Sequence, residues 1–136
     1  MLSTTCHCTR LRRAAHAVTR RYDEALAPTG LTVTQFSLMR TISRLEQPHI
    51  SALAEATGLE RSTLGRNLRP LEKAALIEFD QGEDARTKLV RLSRKGKRAL
   101  EGALPMWQLA QEELAADFGR KKIDALEKLL DDLIAG

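Results

Sequence analysis

The spacing of apolar residues along the chain predicts a mainly helical protein. Between residues 5 and 26 they recur every three or four positions, which is typical of an amphipathic helix. This helix is expected to end before the turn signal at residues 28–30. Residues 120–135 follow Gly119 and have the most regular apolar stripe, formed by Ile123, Leu126, Leu129, Leu130, Leu133 and Ile134.

Two more helices are delimited by capping residues. Thr32 and Gln35 have the spacing of a capping box, so a second helix is predicted to begin there and to end before Pro48. A third helix is predicted to start with Ser51 as its N-cap. Gly58 suits the left-handed residue that closes such a helix.

The middle of the chain combines a fourth helix with a β-hairpin. The helix covers residues 61–75, and the strands are predicted at 76–80 and 88–92, around a polar loop that contains glycine. A long fifth helix follows from Ser93 to about Phe118. The predicted fold class is therefore mainly α with a small β-hairpin. The inward positions of the fourth helix are Leu64, Leu68 and Leu71.

Length and composition indicate one globular domain over residues 1–136. The hydrophobic fraction is 43% and the charged fraction 29%, which are globular values. No apolar run approaches the ~20 residues of a membrane span. Arg10, Arg12 and Arg13 interrupt what would be the apolar core of a signal peptide, so a cytoplasmic location is expected. No Ser/His/Asp set, phosphate loop or metal triad is present, so we do not expect an enzyme.

Charge is unevenly distributed along the chain. Residues 61–98 contain eleven Lys or Arg and five Asp or Glu, whereas residues 99–136 contain four and eight. A basic middle segment suggests a patch that binds a polyanion. On charge alone, an ordinary solvated surface explains the pattern equally well.

The stretch "SALAEATGLERSTLGRNLRPLEK" has the anatomy of a helix-turn-helix. In such a pair the second helix enters the major groove of DNA with its N-terminal residues nearest the bases. The outward line of this helix is formed by Ser62, Arg66, Arg69 and Lys73. An ordinary solvated face would include Glu among such residues, and this line contains none. We expect base contacts from Arg61, Ser62, Thr63 and Arg66, and phosphate contacts from Arg69 and Lys73.

The hairpin adds a second candidate contact with DNA. Arg86 lies at its tip, where an arginine can enter a narrow minor groove. Asp84 is placed to orient that guanidinium through a charge-assisted hydrogen bond. Lys88, at the start of the second strand, completes the predicted contacts with double-stranded DNA.

These stretches resemble the MarR family of winged helix-turn-helix regulators. The matching segments are "GLTVTQFSLMRTI", "LAEATGLERSTLGRNLRPLEKAALI", "EDARTKLVRLSRKG" and the two closing helices. The chain departs from the family at Ala75, where Gly is common before the first wing strand. The resemblance implies a DNA-binding lobe at 32–93 and dimerisation helices at 1–30 and 94–136. It also implies a homodimer that binds pseudo-palindromic operators, usually as a repressor. Expected interface residues are Leu11, Val18, Ile123, Leu126, Leu130 and Leu133.

Two cysteines, Cys6 and Cys8, flank His7 near the N-terminus. In a helix they lie about 200° apart, so a disulfide between them or a shared metal ion is disfavoured. Zinc would also need four ligands, and no metal or cofactor is expected. Cys8 is predicted to lie on the inward face, in line with Leu11 and Val18.

The trigger that would release DNA has three open explanations. In the organic-hydroperoxide-sensing branch of the MarR family, a reactive cysteine near the start of helix 1 is paired with tyrosines of the partner subunit. Cys8 and Tyr22 have the fourteen-residue spacing of one such pair, but Val33 replaces the second tyrosine. The alternatives are a lipophilic or phenolic ligand, and a Cys8 that only packs. A thiol peroxidase and a protein-interaction module are the competing function classes.

Overall fold

The computed structural model describes residues 6–80 and 88–136, and the predicted, mainly helical architecture with a β-hairpin is confirmed there. The two strands form one antiparallel sheet, in which Ile77 pairs with Leu92 and Asp80 with Leu89. In chain order the elements are α1 (His7–Leu26), a 3-10 turn (Ala27–Thr29), α2 (Val33–Leu45), α3 (Ile50–Thr57), α4 (Arg61–Lys73), β1 (Ile77–Asp80), β2 (Leu89–Leu92), α5 (Arg94–Phe118) and α6 (Arg120–Ala135).

Several helix ends have the predicted caps. The Thr32 side chain accepts the Gln35 N–H at 3.1 Å, and the Gln35 side chain accepts the Thr32 N–H at 3.0 Å. Ser93, predicted as the first residue of the fifth helix, is instead the N-cap of α5, and its side chain accepts the Gly96 N–H at 2.9 Å. Gly119 separates α5 from α6 with a φ of 100°, a conformation that favours glycine.

The predicted start of α3 at Ser51 is wrong, because α3 begins at Ile50 with His49 as its N-cap. The hairpin determines this boundary. His49 forms an isolated β-bridge with Leu89, and the Ile50 N–H donates to the carbonyl oxygen of Lys88 at 3.2 Å. A contact between segments so distant in sequence leaves no local pattern to read.

The fourth helix is shorter than predicted, since it ends at Lys73 instead of residue 75. Ala75 then takes a φ of 61°, which is unusual for a residue with a Cβ atom. The Leu76 N–H donates to the carbonyl oxygen of Leu71 at 2.9 Å and closes the turn into β1.

One hydrophobic core occupies the winged lobe, which we define as α2 to β2. The first part of α5 closes it, through Ala103 and its neighbours. The largest side chains with less than 2% exposure are Phe36, Leu26, Met39, Ile42, Leu53, Leu64, Leu71, Ile77 and Val90.

An aromatic contact joins the winged lobe to α5. The rings of Phe36 and Trp107 stack with their centroids 5.6 Å apart. The Arg40 guanidinium lies 4.3 Å from the centre of the Trp107 ring, within the range of a cation–π interaction. This contact fixes α2 against α5.

The remaining helices form a helical arm, made of α1, the second half of α5 and α6. Arg21 forms a salt bridge with Asp117, and the Tyr22 hydroxyl donates to Gln111, so the end of α1 is attached to α5. The prediction that Cys8 faces inward is wrong within one chain, because α1 is exposed over most of its length and only Tyr22 and Leu26 are buried.

Candidate nucleic-acid interface

The fourth helix presents a polar, cationic face to solvent. Leu64, Leu68 and Leu71 are at most 3% exposed and fix the opposite face against the core. Gly58, with a φ of 71°, ends α3 and forms the turn that connects α3 to α4. The residues predicted to contact DNA share the outward side. Arg61, Ser62, Arg66, Arg69 and Lys73 are exposed, and Thr63 is half-buried.

A side-chain hydrogen bond near the start of α4 positions the guanidinium of Arg66. The Arg66 guanidinium donates to the Thr63 hydroxyl at 3.3 Å, which holds the cation over the start of the helix. The N-cap, Glu60, makes no side-chain capping hydrogen bond, and the first turn contains no acidic residue. The first N–H groups of α4 therefore have no cap from the Glu60 side chain, and Arg61 and Arg66 place positive charge at this end of the helix beside the exposed Glu60 carboxylate.

The wing is described only through its strands. The predicted contacts Asp84 and Arg86 lie outside the described residues. Lys88 is half-buried, and its Nζ atom lies 4.3 Å from the centre of the Phe79 ring. Its ammonium group is therefore held against the wing itself.

The other cation of the wing strands is neutralised locally. Arg91 on β2 pairs with Asp80 and with Glu78 on β1, the latter at 3.0 Å. The hydrogen bonds that Arg91 donates to Asp80 and then to Glu78 raise the pKa of its guanidinium above its ordinary value. Arg91 thus connects the strands and adds no unbalanced positive charge beside α4.

A polar groove that sequence reasoning missed runs between α2 and α4. We call it the α2–α4 groove. Two hollows of about 330 and 300 Å³ form it, and both include Thr34, Leu38 and Asn67 in their walls. Ser37 belongs to the first hollow and Arg66 to the second. Exposed polar residues on an amphipathic helix are expected everywhere, so the sequence alone does not single these out.

The arm contains an apolar groove of about 450 Å³ between α1, α5 and α6. Leu133 lies outside it and is 62% exposed. The structure thus brings together five of the six predicted interface residues: Leu11, Val18, Ile123, Leu126 and Leu130. Ile123 is 8% exposed and already buried within the chain, whereas Leu11 is 42% exposed and Val18 and Leu126 are each 38% exposed.

Cys8 and Tyr22 do not meet within one chain. Fourteen residues of helix separate them by about 21 Å along the α1 axis. Tyr22 is largely buried, and this burial raises the pKa of its hydroxyl, which already donates to Gln111. A contact between Cys8 and Tyr22 could only form between two chains.

Cys6 has a role that the sequence analysis did not assign. Its Sγ atom accepts the Thr9 N–H at 3.5 Å and so caps α1. The hydrogen bonds from Thr9 hold the pKa of the exposed Cys6 thiol below its ordinary value. Cysteine is absent from the usual N-cap residues, which explains why the pattern was missed.

Neither a metal-binding cluster nor a membrane-spanning helix is found in the part of the chain that the structure describes. Among residues 6–80 and 88–136, no group of three or more His, Cys, Asp or Glu side chains is placed to hold a metal ion. None of the helices in this same part of the chain is long and apolar enough to cross a membrane.

Comparisons with known proteins agree with this geometry. The MarR family profile matches residues 31–88, from the start of α2 to the wing. The HTH-type transcriptional regulator YwoH of Bacillus subtilis is 30% identical over 122 residues, which are 88% of this chain and 87% of that protein.

Solved structures show the same fold. The transcriptional regulator MosR of M. tuberculosis, in complex with DNA, is 39% identical; the match covers 94% of this chain and 98% of MosR, with a TM-score of 0.77. The repressor CouR bound to a 23-mer DNA duplex is 24% identical, with coverages of 98% and 99% and a TM-score of 0.85, which supports the fold. The chain belongs to the MarR family and is a winged helix-turn-helix DNA-binding transcriptional regulator rather than an enzyme.

Proposed function

We propose that this regulator is a homodimeric repressor that binds a pseudo-palindromic operator and is released by a chemical trigger. The observation that carries this proposal is the exposed line of Ser62, Arg66, Arg69 and Lys73 on α4, which is cationic and contains no acidic residue. Each subunit inserts α4 into a major groove. The wing follows the adjacent minor groove through Arg86.

Residues on α4 divide into two roles. Arg61, Ser62, Thr63 and Arg66 lie in the first two turns and are placed to reach base edges. Arg69 and Lys73 lie farther along the exposed face and are placed to bind phosphates. Lys88 is a weaker candidate because its ammonium group already contacts Phe79.

A second copy of the chain is the proposed occupant of the apolar groove in the arm. Val18 and Leu126, on opposite sides of that groove, are each 38% exposed. Contiguous apolar surface of this kind is a liability in a monomer and is covered by assembly. We therefore assign α1, α5 and α6 to dimerisation, and the segment 32–93 to DNA binding.

Release is proposed to begin at the N-terminus of α1. Cys8 is exposed there, on the helix that would pack against the partner. An organic hydroperoxide oxidises a thiolate to sulfenic acid and is itself reduced to the alcohol. A change of α1 relative to α6 would alter the distance between the two α4 helices, which must match one turn of DNA, about 34 Å. A lipophilic or phenolic ligand could shift the same helices.

The test of DNA binding uses an operator selected by the wild-type protein from a randomised duplex library. We expect Arg69→Ala to weaken binding to all duplexes and to reduce the salt slope by about one for each subunit, hence by about two for the dimer. Arg66→Ala should lose about 1–3 kcal/mol of discrimination between operator and scrambled DNA. Arg20→Ala, which removes an exposed cation from α1, is the matched control and should bind like wild type. Unchanged isotherms for both α4 variants would refute the docking mode.

The test of the trigger is fluorescence anisotropy of reduced protein on that operator, repeated during titration with cumene hydroperoxide. Release of wild type but not of Cys8→Ser would support Cys8 as the sensor, with Cys6→Ser as the control for the neighbouring thiol. If the double variant Cys6→Ser/Cys8→Ser is released like wild type, thiol oxidation is excluded and a ligand becomes the candidate trigger.

A further inference from the structure

The α2–α4 groove lies beside the face of α4 that is proposed to read bases. Leu38, which is 4% exposed, forms part of its floor. Its rim carries Thr34 and Ser37 from α2 and Asn67 from α4, and Arg66 reaches the same rim from the reading face. The groove is therefore continuous with the proposed DNA surface.

Most other polar side chains of the groove are used inside the protein. Thr32 and Gln35 form the capping box of α2. The Thr41 hydroxyl donates to the carbonyl oxygen of Ser37 at 2.9 Å, and the Thr57 hydroxyl to that of Leu53 at 2.8 Å. The Thr41 and Thr57 hydroxyls therefore donate within their own helices, whereas Thr32 and Gln35 accept through oxygen and keep a donor at the edge of the second hollow.

Three side chains on the rim differ from these. Within the described residues, the hydroxyls of Thr34 and Ser37 and the amide of Asn67 make no hydrogen bond to protein. Thr34 and Ser37 are exposed and Asn67 is half-buried. Three donors from two helices thus border one hollow, and each can exchange water for another acceptor.

The charge of the groove selects for an anion. Of the described side chains that line the two hollows, none is acidic, and Arg66 is the cation among them. The first N–H of α2, that of Val33, is already bound by Asp23 at 2.8 Å, so it is not available to a ligand. Recognition would therefore depend on the side-chain donors of the rim.

Docking on DNA would place a phosphate at this groove. The major groove is about 12 Å wide, so a helix inserted in it has a sugar-phosphate backbone along each flank. We propose that the α2–α4 groove binds a backbone phosphate of the operator, with Thr34, Ser37 and Asn67 as hydrogen-bond donors. This inference rests on the proposed insertion of α4. It adds α2 to the DNA-contacting surface.

The test is the double variant Thr34→Val/Ser37→Ala, in which both hydroxyls are lost while the shapes are nearly kept. Each subunit loses two hydrogen bonds to a charged phosphate, which predicts a Kd at least about 100-fold higher. The factor should be the same on operator and on scrambled duplex, because phosphate contacts carry no base information. The salt slope should stay unchanged, since no cation is removed.

Ser43→Ala is the matched control, because Ser43 is an exposed hydroxyl of α2 outside the α2–α4 groove. It should bind both duplexes like wild type. Circular dichroism of the double variant should show wild-type helicity. Single operator phosphates can be replaced by neutral methylphosphonates. At one position in each half-site, the replacement should lower the affinity of wild type but leave the affinity of the double variant unchanged.

Wild-type affinity of the double variant, or a loss confined to the operator, would overturn the phosphate contact. The same measurements separate this inference from the proposed function. If Arg69→Ala weakens binding while the double variant does not, only the role of the groove is wrong. If neither set of variants changes binding, the docking of α4 is wrong as well.

Discussion

The winged lobe and the helical arm use the same apolar residue types in opposite ways. In the lobe, Phe36 and Val90 are fully buried, and both belong to one continuous core. In the arm, Leu129 is 61% exposed and Ile134 is 83% exposed. The lobe completes its hydrophobic core within one chain, whereas the arm leaves an apolar surface that a second chain could cover.

This difference shows what a regular apolar stripe on a helix can and cannot predict. The stripe predicts that the helix packs against another apolar surface, but it does not predict whether that surface belongs to the same chain. Substitutions in the lobe should therefore affect folding. Substitutions on the arm should affect assembly, while the fold of each chain is kept.

The largest expected effect comes from Phe36→Ala. It removes a fully buried ring that also stacks on Trp107, and it should lower the free energy of unfolding by about 3–5 kcal/mol. Leu129→Ala, at an exposed position, should cost less than about 1 kcal/mol. Urea unfolding at one fixed protein concentration measures both. Equal losses would contradict the contrast between lobe and arm.

A charged pair on α6 should disrupt assembly. Leu126→Glu/Leu133→Glu would bury two unpaired carboxylates in the proposed interface, which costs about 3 kcal/mol or more and predicts self-association at least about 100-fold weaker. Sedimentation equilibrium is the measurement.

Leu45→Glu is the control, because Leu45 is 42% exposed but lies at the end of α2, outside the arm. It should leave self-association unchanged. A double variant that assembles like wild type would remove α6 from the interface.

Two glycines of α5 test how the wing is attached to this helix. A Cβ atom on Gly96 would lie 2.0 Å from the carbonyl oxygen of Leu76, so Gly96→Ala should cost about 2–3 kcal/mol. Within residues 6–80 and 88–136, no atom beyond the helix's own backbone lies within 4 Å of a Cβ on Gly102, and Gly102→Ala should stabilise the helix by about 0.5–1 kcal/mol. Thermal unfolding should move in opposite directions for the two variants. A shift in the same direction would refute the close approach at Gly96.

The smallest expected effect concerns Cys6, the N-cap of α1. Since hydrogen bonds from Thr9 lower the pKa of the Cys6 thiol, its thiolate should be more populated in the folded protein at a given pH. In Cys8→Ser, the rate of alkylation by iodoacetamide should therefore reach its midpoint at a lower pH than in the same protein unfolded in urea. Coincident midpoints would show that the cap does not form.

Local signals were sufficient to predict much of the fold. The bounds of α6, Arg120–Ala135, are those predicted, because Gly119 ends the preceding helix. The start of α3 could not be predicted, since the pairing of His49 with Leu89 depends on the hairpin.

The candidate site was predicted in part for a similar reason. The outward face of α4 follows from helical periodicity, so the exposure of Arg66 could be predicted. The position of Lys88 over Phe79 and the thiol cap at Cys6 depend on how individual side chains meet. The availability of Thr34 depends on which neighbouring hydroxyls are already hydrogen-bonded, and no sequence pattern records this.

The stack of Trp107 on Phe36 under Arg40 has an optical consequence. Trp107 is the single tryptophan of the chain, so all indole emission comes from the place where α2 meets α5. A rotation of the winged lobe relative to α5 would change the distance between the indole and the guanidinium, and with it the emission spectrum. The unlabelled protein therefore contains its own probe of how the two regions move when DNA or a trigger binds.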